Sequence, residues 1–160
     1  MSRAKAAETV MVVYRTMANP AFVDPNIDPS DRDYGSLLSE RPDLMNYAAL
    51  GLARTVTPRA WLSTWSGLSS RADMVANVAR ISPQTATLMV HAARDREVFP
   101  SDVRAIGDAI VAKDKSVVTV EGARHYFEPD FGGTARRDEE TPHVEKLMDV
   151  VVPWIEERFA

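Results

Sequence analysis

The sequence predicts a mixed α/β fold with a helical region at 1–84 and an α/β region at 85–160. Two short β-rich apolar segments, at 87–95 and 116–125, enclose a helical stretch. A crossover of that length normally joins parallel neighbours in one sheet. The closing segment then carries an apolar stripe at helical spacing. We therefore expect a strand, helix, strand unit followed by a C-terminal helix.

Composition indicates an ordinary globular chain. Its 160 residues fit one domain by length, and 45% are hydrophobic and 26% charged. The formal net charge of -4 argues against a nucleic-acid partner, because such proteins usually carry a basic excess. The absence of cysteine excludes disulfides and thiolate metal sites. No apolar run has the length of a signal peptide core or a membrane span, so we expect a soluble cytoplasmic protein that has no membrane partner.

The N-terminal segment is predicted to be helical over 4–18. Its apolar residues fall on one helical face, and the sequence AsnPro at 19 and 20 ends the run. That face is formed by Ala7, Val10, Met11 and Tyr14. The following segment, 19–33, is rich in proline and aspartate, which suits an extended, solvated connection.

Residues 36–80 are expected to form two to four short helices and no strand. Pro42 and Pro58 punctuate this stretch. Trp61 and Trp65 stand at i and i+4, so one helical face carries a heavy aromatic load. Such a pair more often packs in a core or an interface than against a ligand.

Two helices are predicted in the C-terminal half. The first has Ser101 as its N-cap and an apolar stripe that ends near Lys113. The second has Thr141 as its cap and Pro142 at its first position. Its apolar stripe comprises Val144, Leu147, Met148, Val151, Ile155 and Phe159. A stripe of that length must pack against a large surface.

Each predicted strand is followed by a residue that can transfer or orient a proton, Asp95 after the first and His125 after the second. Both would emerge at the carboxyl edge of the sheet, where open α/β sheets bind ligands. Each also has an ordinary structural interpretation, because an aspartate after a strand usually forms a turn. His91 is expected to be packed and hydrogen-bonded, and His143 to be solvated. The histidines show no metal-ligand spacing, so we expect no metal.

The segments 88–100 and 121–127 resemble the two turns of α/β-hydrolases that deliver the acid and the histidine of a catalytic triad. The acid precedes the histidine in that family, as Asp95 precedes His125 here. The terminal helix agrees in place, and the stretch 36–80 resembles the family's helical cap. The resemblance implies a cap-like region at 1–84 and the C-terminal part of a hydrolase core at 85–160.

The resemblance also implies roles for individual residues. His125 would act as the base and Asp95 would hold its ring, in the hydrolysis of esters or related acyl substrates without any cofactor. The substrate would be a small molecule. Trp61, Trp65, Phe99 and Tyr126 would form the walls of its pocket.

The sequence departs from the family pattern at the nucleophile. No Gly-x-Ser-x-Gly elbow occurs, the early strands are missing, and Ala92 stands where the family has glycine. The nucleophile, whether Ser, Asp or Cys, is therefore expected outside this chain. A two-stranded parallel piece leaves an edge and an apolar face uncovered, so we expect an N-terminal-half partner chain or a homodimer. Two alternatives stay open: a catalytically inactive, self-associating relic or binding module, and a fragment of a longer enzyme.

Overall fold

The computed structural model describes residues 9–14, 19–36, 40–45, 55–127 and 142–159. The chain forms two compact units. The first comprises Met1–Ser30 and Tyr34–Asn77, and the second comprises Asp31–Asp33 and Val78–Ala160. Helices and strands both occur, which confirms the mixed α/β class. The assignment of 1–84 to a cap and 85–160 to a hydrolase core stays a prediction.

The first unit contains a short antiparallel pair. Strand β1, Met11–Val12, pairs with β2, Thr55–Val56, with Met11 opposite Val56 and Val12 opposite Thr55. The prediction of a helix over 4–18 is therefore wrong at β1, and residues 1–8 and 15–18 lie outside the described ranges. The expectation that 36–80 contains no strand is wrong at β2. Strands of two residues are too short to show the alternation by which a strand is identified.

The segment 19–30 forms local turns instead of a fully extended connection. A 3-10 helix at Pro20–Phe22 begins at Asn19, whose side chain accepts a hydrogen bond from the Ala21 amide at 3.1 Å. Asp24 accepts from the Asn26 amide at 2.9 Å, and Asp28 accepts from the amide two residues after it. Aspartate favours such turns because its carboxylate reaches its own backbone.

The expectation of several short helices between 36 and 80 is confirmed for the described residues. They are α1 at Pro42–Met45, α2 at Pro58–Ala60 and α3 at Met74–Val78. Thr57 caps α2 by accepting from the Ala60 amide at 3.1 Å. A π-helix at Trp61–Trp65 follows α2 directly, so the two tryptophans stand at the ends of a wider turn than the α-helix that their spacing predicts.

The second unit contains the predicted strand, helix, strand arrangement. Strands β3, Thr87–Ala92, and β4, Lys115–Val120, pair in parallel, and α4, Pro100–Ala109, connects them. The register runs from Thr87 opposite Lys115 to Ala92 opposite Val120. The carboxyl ends of both strands thus meet at one edge. A small core forms there from Ala92, Val120 and Ala123, with Val90 and Phe127 packed against it.

Helix α4 begins one residue before the predicted cap. Asp102, not Ser101, closes its N-terminus, because the Asp102 carboxylate accepts a hydrogen bond from the Phe99 amide at 2.9 Å. At the other end, the Lys115 ammonium donates to the Gly107 carbonyl at 2.9 Å and to the Ile110 carbonyl at 3.3 Å. A cation is favourable there because the last helical carbonyls carry partial negative charge.

The closing helix α5 spans Pro142–Phe159, and the expectation of proline at its first position is confirmed. Thr141, the expected cap, lies outside the described residues. The helix continues through Pro153, which has no amide hydrogen to donate. Near its end, Arg158 makes a two-point contact with Asp114, at 2.6 Å through Nε and 2.7 Å through Nη2. This contact fixes the end of α5 to the turn before β4.

One face of α5 is apolar and exposed. The exposed residues recur at helical spacing: Val144, Met148, Val152, Ile155 and Phe159. Leu147 and Val151, from the same predicted stripe, are half-buried. The stripe is therefore only partly covered, although its length led us to expect packing against a large surface. Apolar as α5 is, the described ranges contain no helix with the length and hydropathy needed to cross a membrane.

Candidate functional site

Asp95 is held at the end of β3 by backbone hydrogen bonds to the neighbouring strand. The Ala93 amide donates to the Val120 carbonyl at 3.1 Å, and the Arg94 amide donates to the Ala123 carbonyl at 2.8 Å. The Asp95 amide then turns back to the Ala92 carbonyl at 3.1 Å. The parallel pairing thus continues past both strands and sets the position from which the Asp95 side chain leaves the backbone.

The Asp95 carboxylate is buried, with 7% of the side chain exposed. Its Oδ1 atom accepts hydrogen bonds from the amides of Glu97, at 2.7 Å, and Val98, at 3.2 Å. A buried carboxylate needs such donors, because burial removes the water that would otherwise solvate it. The turn-forming role that the sequence allowed for Asp95 is therefore present in the structure.

His125 is carried by a tight turn after β4. Gly122 adopts φ of +79°, in the region that favours glycine, and the Ala123 amide donates to the Val120 carbonyl at 3.3 Å. The turn closes where the Phe127 amide donates to the Arg124 carbonyl at 2.8 Å, with Phe127 itself at φ of +57°. These two turns project His125 over the end of β3 while 29% of its side chain remains exposed.

The two predicted site residues are in contact. The Nδ1 atom of His125 lies 2.9 Å from Oδ2 and 3.1 Å from Oδ1 of Asp95. An ionised carboxylate only accepts hydrogen bonds, so Nδ1 carries the hydrogen and Nε2 the lone pair when the ring is neutral. Within the described part of the chain no hydrogen bond reaches His125 Nε2. That nitrogen can accept a proton from a reacting group and return it.

The other predicted pocket residues of this unit lie in different environments. Tyr126 is 63% exposed, and its ring meets the His125 ring edge to face, with centroids 4.7 Å apart. Phe99 is 3% exposed, and the Arg32 guanidinium lies 3.9 Å from its ring centroid. The structure thus places Tyr126 beside the histidine and Phe99 in the interior. A role for either as a substrate wall stays a prediction.

Trp61 and Trp65 belong to the first unit, whereas Asp95 and His125 belong to the second. Trp61 is half-buried and Trp65 is exposed. Their predicted place in a substrate pocket with Asp95 and His125 stays a prediction.

The two remaining histidines differ from expectation. His91 was expected to be hydrogen-bonded, but its Nε2 is buried and has no hydrogen-bond partner in the described part of the chain. It stands in β3 opposite Thr119. His143 was expected to be solvated, but it is half-buried, and its Nε2 lies 3.1 Å from where a Cβ on Gly122 would sit. His143 therefore packs against the turn that carries His125.

The sequence did not predict an ion pair that Arg94 makes beside the site. Arg94, adjacent to Asp95, donates through Nε to Asp33 at 2.9 Å, across 61 positions of the sequence. A local pattern cannot reveal a partner so distant in the chain. No three acidic or histidine side chains within the described ranges converge as metal ligands.

Comparison with known proteins returns no match: no family model, no curated protein and no solved structure matches the chain significantly. The interpretation of the site therefore depends on its own geometry. The decisive features are the parallel register of β3 and β4 and the contact between Asp95 and His125.

Proposed function

We propose that Asp95 and His125 are the acid and the histidine of a hydrolytic triad of the α/β-hydrolase type, acting on esters or related acyl substrates. The observation that carries the proposal is the Nδ1 to Oδ2 distance of 2.9 Å at the carboxyl edge of two parallel strands. The order of acid before histidine and the closing helix α5 support it. The nucleophile is supplied from outside this sequence.

In the proposed reaction each residue has a separate role. His125 Nε2 takes the proton of the nucleophile as that group attacks the acyl carbon, and then gives it to the departing alkoxide. Water then completes the reaction: Nε2 removes its proton as the water oxygen bonds to the acyl carbon, the bond between the acyl carbon and the nucleophile breaks, and Nε2 returns the proton to the nucleophile. Asp95 keeps the hydrogen on Nδ1 and stabilises the imidazolium that forms at each transfer.

Two short sequence segments come nearest to the Gly-x-Ser-x-Gly pattern, and the structure of neither supports a nucleophile elbow. Ser36, in the sequence TyrGlySer, is fully buried, and its Oγ has no hydrogen-bond partner among the described residues. Ser66, in TrpSerGly, accepts a hydrogen bond from the Leu68 amide at 3.3 Å, which is a local turn contact. Both lie in the first unit, and neither follows a strand of the described residues. A nucleophile from another polypeptide segment fits these observations better.

The exposed surface of the second unit supports completion by further strands. Parallel strands are normally covered on both faces, yet Val117 of β4 is 46% exposed. The pair β3 and β4 has no third strand among the described residues, so both outer edges are open to further pairing. We propose that strands of an N-terminal half, on a partner chain or in a longer polypeptide, complete the sheet and present the nucleophile.

The test reconstitutes the site. The chain is purified with its natural partner or as part of the longer polypeptide, and hydrolysis of a generic activated ester is measured. His125→Gln and Asp95→Asn are expected to reduce kcat by about 10³-fold or more, because each removes part of the proton transfer. Asp108→Asn, which removes an exposed carboxylate on α4, is the matched control and retains activity. Undiminished hydrolysis in the His125→Gln variant would contradict the proposal.

A second candidate function is a self-associating binding module without catalysis. The exposed apolar stripe of α5 favours it, because an uncovered stripe of this kind marks an interaction surface. Sedimentation of the pure chain separates the two candidates. A stable dimer that hydrolyses no ester after the N-terminal-half segment is added would support the module.

A further inference from the structure

A cavity of about 230 Å³ lies in the first unit, beside the π-helix Trp61–Trp65 and the serine-rich turn that follows it. Its wall includes the side chains or backbone of Trp65, Ser66, Ser70 and Asp73. All of its lining residues belong to the first unit. We propose that this cavity binds a small organic cation of the ammonium class.

Hydrogen bonds from two serines hold the wall of the cavity in place. Ser69 Oγ donates to the Leu62 carbonyl at 2.7 Å. Ser70 Oγ donates to the Thr64 carbonyl at 2.8 Å and accepts from the Ala72 amide at 3.0 Å. The turn is thereby tied to the end of the π-helix. A pocket fixed in this way before the ligand arrives loses less conformational freedom on binding.

The charge of the cavity favours a cation. Asp73 is the one charged side chain among the residues lining this cavity. One of its oxygens accepts from the Ala76 amide at 2.9 Å and so caps α3, while the other makes no hydrogen bond within the described ranges. An ionised carboxylate can only accept hydrogen bonds, so the remaining oxygen suits a donor that carries positive charge.

The helical residues next to the cavity also favour a cation. Helix α2 and the π-helix run continuously from Pro58 to Trp65, and the cavity lies at their C-terminal end. The C-terminal end of a helix carries partial negative charge, which stabilises cations. Single-turn π-helical segments also occur frequently at functional sites.

Trp65 adds an aromatic surface. Trp65 is one of the residues that line the cavity and is 45% exposed, so a ligand can reach its indole. The face of an indole ring is the best of the aromatic faces for attracting an ammonium group. A ligand that contacts both the Trp65 indole and the Asp73 carboxylate has to be positively charged and partly apolar, which fits an ammonium group better than a hydrated metal ion.

The size of the cavity limits the ligand. Pockets for drug-sized molecules enclose about 300–1,000 Å³, and this cavity of about 230 Å³ is smaller. It suits a compact head group such as a primary or quaternary ammonium carrying one short chain. This inference goes beyond the proposed hydrolase function, because none of its residues is Asp95 or His125.

The experiment uses choline and its neutral isostere, 3,3-dimethyl-1-butanol, as paired probes on the full chain. Binding is followed by calorimetry and by the NMR signal of the Trp65 indole. Choline is expected to bind and to shift that signal, and the alcohol to bind at least about fivefold more weakly. Asp73→Asn, which keeps an oxygen for the Ala76 amide, is expected to weaken choline binding about fivefold without affecting the alcohol.

Two further variants complete the design. Trp65→Leu is expected to weaken choline binding at least about threefold through loss of the aromatic face. Asp24→Asn removes the same charge from a turn that does not line the cavity, so its choline affinity should match that of the unmodified chain. The proposal is overturned if choline does not bind, if the alcohol binds equally well, or if Asp73→Asn and Asp24→Asn have the same effect.

Discussion

The Nδ1 atom of His125 lies 2.9 Å from Oδ2 of Asp95, although 30 positions separate the two residues in the sequence. The contact exists because β3 and β4 are parallel neighbours in register, so that their C-terminal turns meet. The same carboxylate also accepts two backbone hydrogen bonds from the turn at Glu97 and Val98. Asp95 therefore joins a turn and an imidazole in one buried position.

Substitution of Asp95 separates these two tasks. Asp95→Ala removes the acceptor of two backbone amides and is expected to lower the free energy of unfolding by about 1–3 kcal/mol. Asp95→Asn keeps an oxygen for those amides, and asparagine also favours this kind of turn, so its loss of stability should be clearly smaller. Urea denaturation measures both. Equal losses would show that the amides of Glu97 and Val98 do not depend on this acceptor.

The same asparagine variant has a second expected effect, on the His125 ring. An amide NH2 facing Nδ1 can no longer accept a hydrogen bond, so the neutral ring should transfer its hydrogen to Nε2. Nitrogen NMR of the histidine side chains distinguishes the two tautomers directly. Asp108→Asn serves as the control and should leave the His125 signals in place.

Substitution of Gly122 is expected to destabilise the chain, because of the positive φ at this position and the closeness of His143. It adopts φ of +79°, and an added Cβ would lie 3.1 Å from His143 Nε2. Gly122→Ala should destabilise the chain by about 1–2 kcal/mol, since a side chain at positive φ is strained. Thermal and urea denaturation provide the measurement.

Gly107 offers the matched control for this change. It lies in α4, where an added Cβ would make an ordinary contact of 3.7 Å with Val117. Gly107→Ala should stabilise the helix by about 0.5–1 kcal/mol, because alanine loses less backbone freedom on folding. If both alanine variants changed stability in the same direction, the assignment of strain to Gly122 would be wrong.

The ion pair between Arg158 and Asp114 predicts that the stability of the chain depends on pH. The hydrogen bond from Arg158 lowers the pKa of Asp114 below its usual range. A carboxyl group whose pKa is lower in the folded state contributes stability above its unfolded pKa, and that contribution is lost as the pH falls through the folded value. Arg158→Gln should therefore be less stable than the unmodified chain at neutral pH.

The difference in stability between the Arg158→Gln variant and the unmodified chain should shrink in strong acid, where Asp114 is protonated in both. High salt at neutral pH should reduce it as well, because the Asp114 side chain is exposed to solvent. Urea midpoints across a pH series give the comparison. A difference that persisted unchanged in acid would assign the effect of Arg158 to its contact with the Trp154 ring, which lies 4.3 Å away.

The exposed stripe of α5 predicts association. Replacing both Met148 and Ile155 with glutamate places charge on that face without touching the partly buried side of the helix. Any dimer formed through the stripe should then dissociate, because burying unpaired charge is costly. Analytical ultracentrifugation over a concentration series measures the effect. Glu156→Gln, an exposed change on the same helix, should leave the association unchanged.

The elements that the sequence predicted correctly are those with enough residues to show a period. Strands β3 and β4 are six residues each, and α5 has eighteen residues with proline at its start. Their order alone implied that Asp95 and His125 would meet, because parallel strands share a carboxyl edge. The contact between these two residues was therefore predictable without coordinates.

The features that the sequence did not reveal depend on partners far away in the chain. Met11 pairs with Val56, and Arg94 pairs with Asp33, in contacts that leave no local pattern. The cap of α4 was misassigned because Ser101 is a good capping residue by type, whereas the N-cap position is Phe99 and Asp102, at the third helical position, accepts from the Phe99 amide.

Asp95 accepts hydrogen bonds both from its own turn and from His125, and this affects how sequence variation at the two positions should be interpreted. Selection for folding alone would retain an acceptor at position 95, whether or not any chemistry occurs there. The side chain of His125 closes no turn, so folding places far weaker demands on it. Among related sequences, invariance of the imidazole would therefore report selection for proton transfer, whereas invariance of the carboxylate would not.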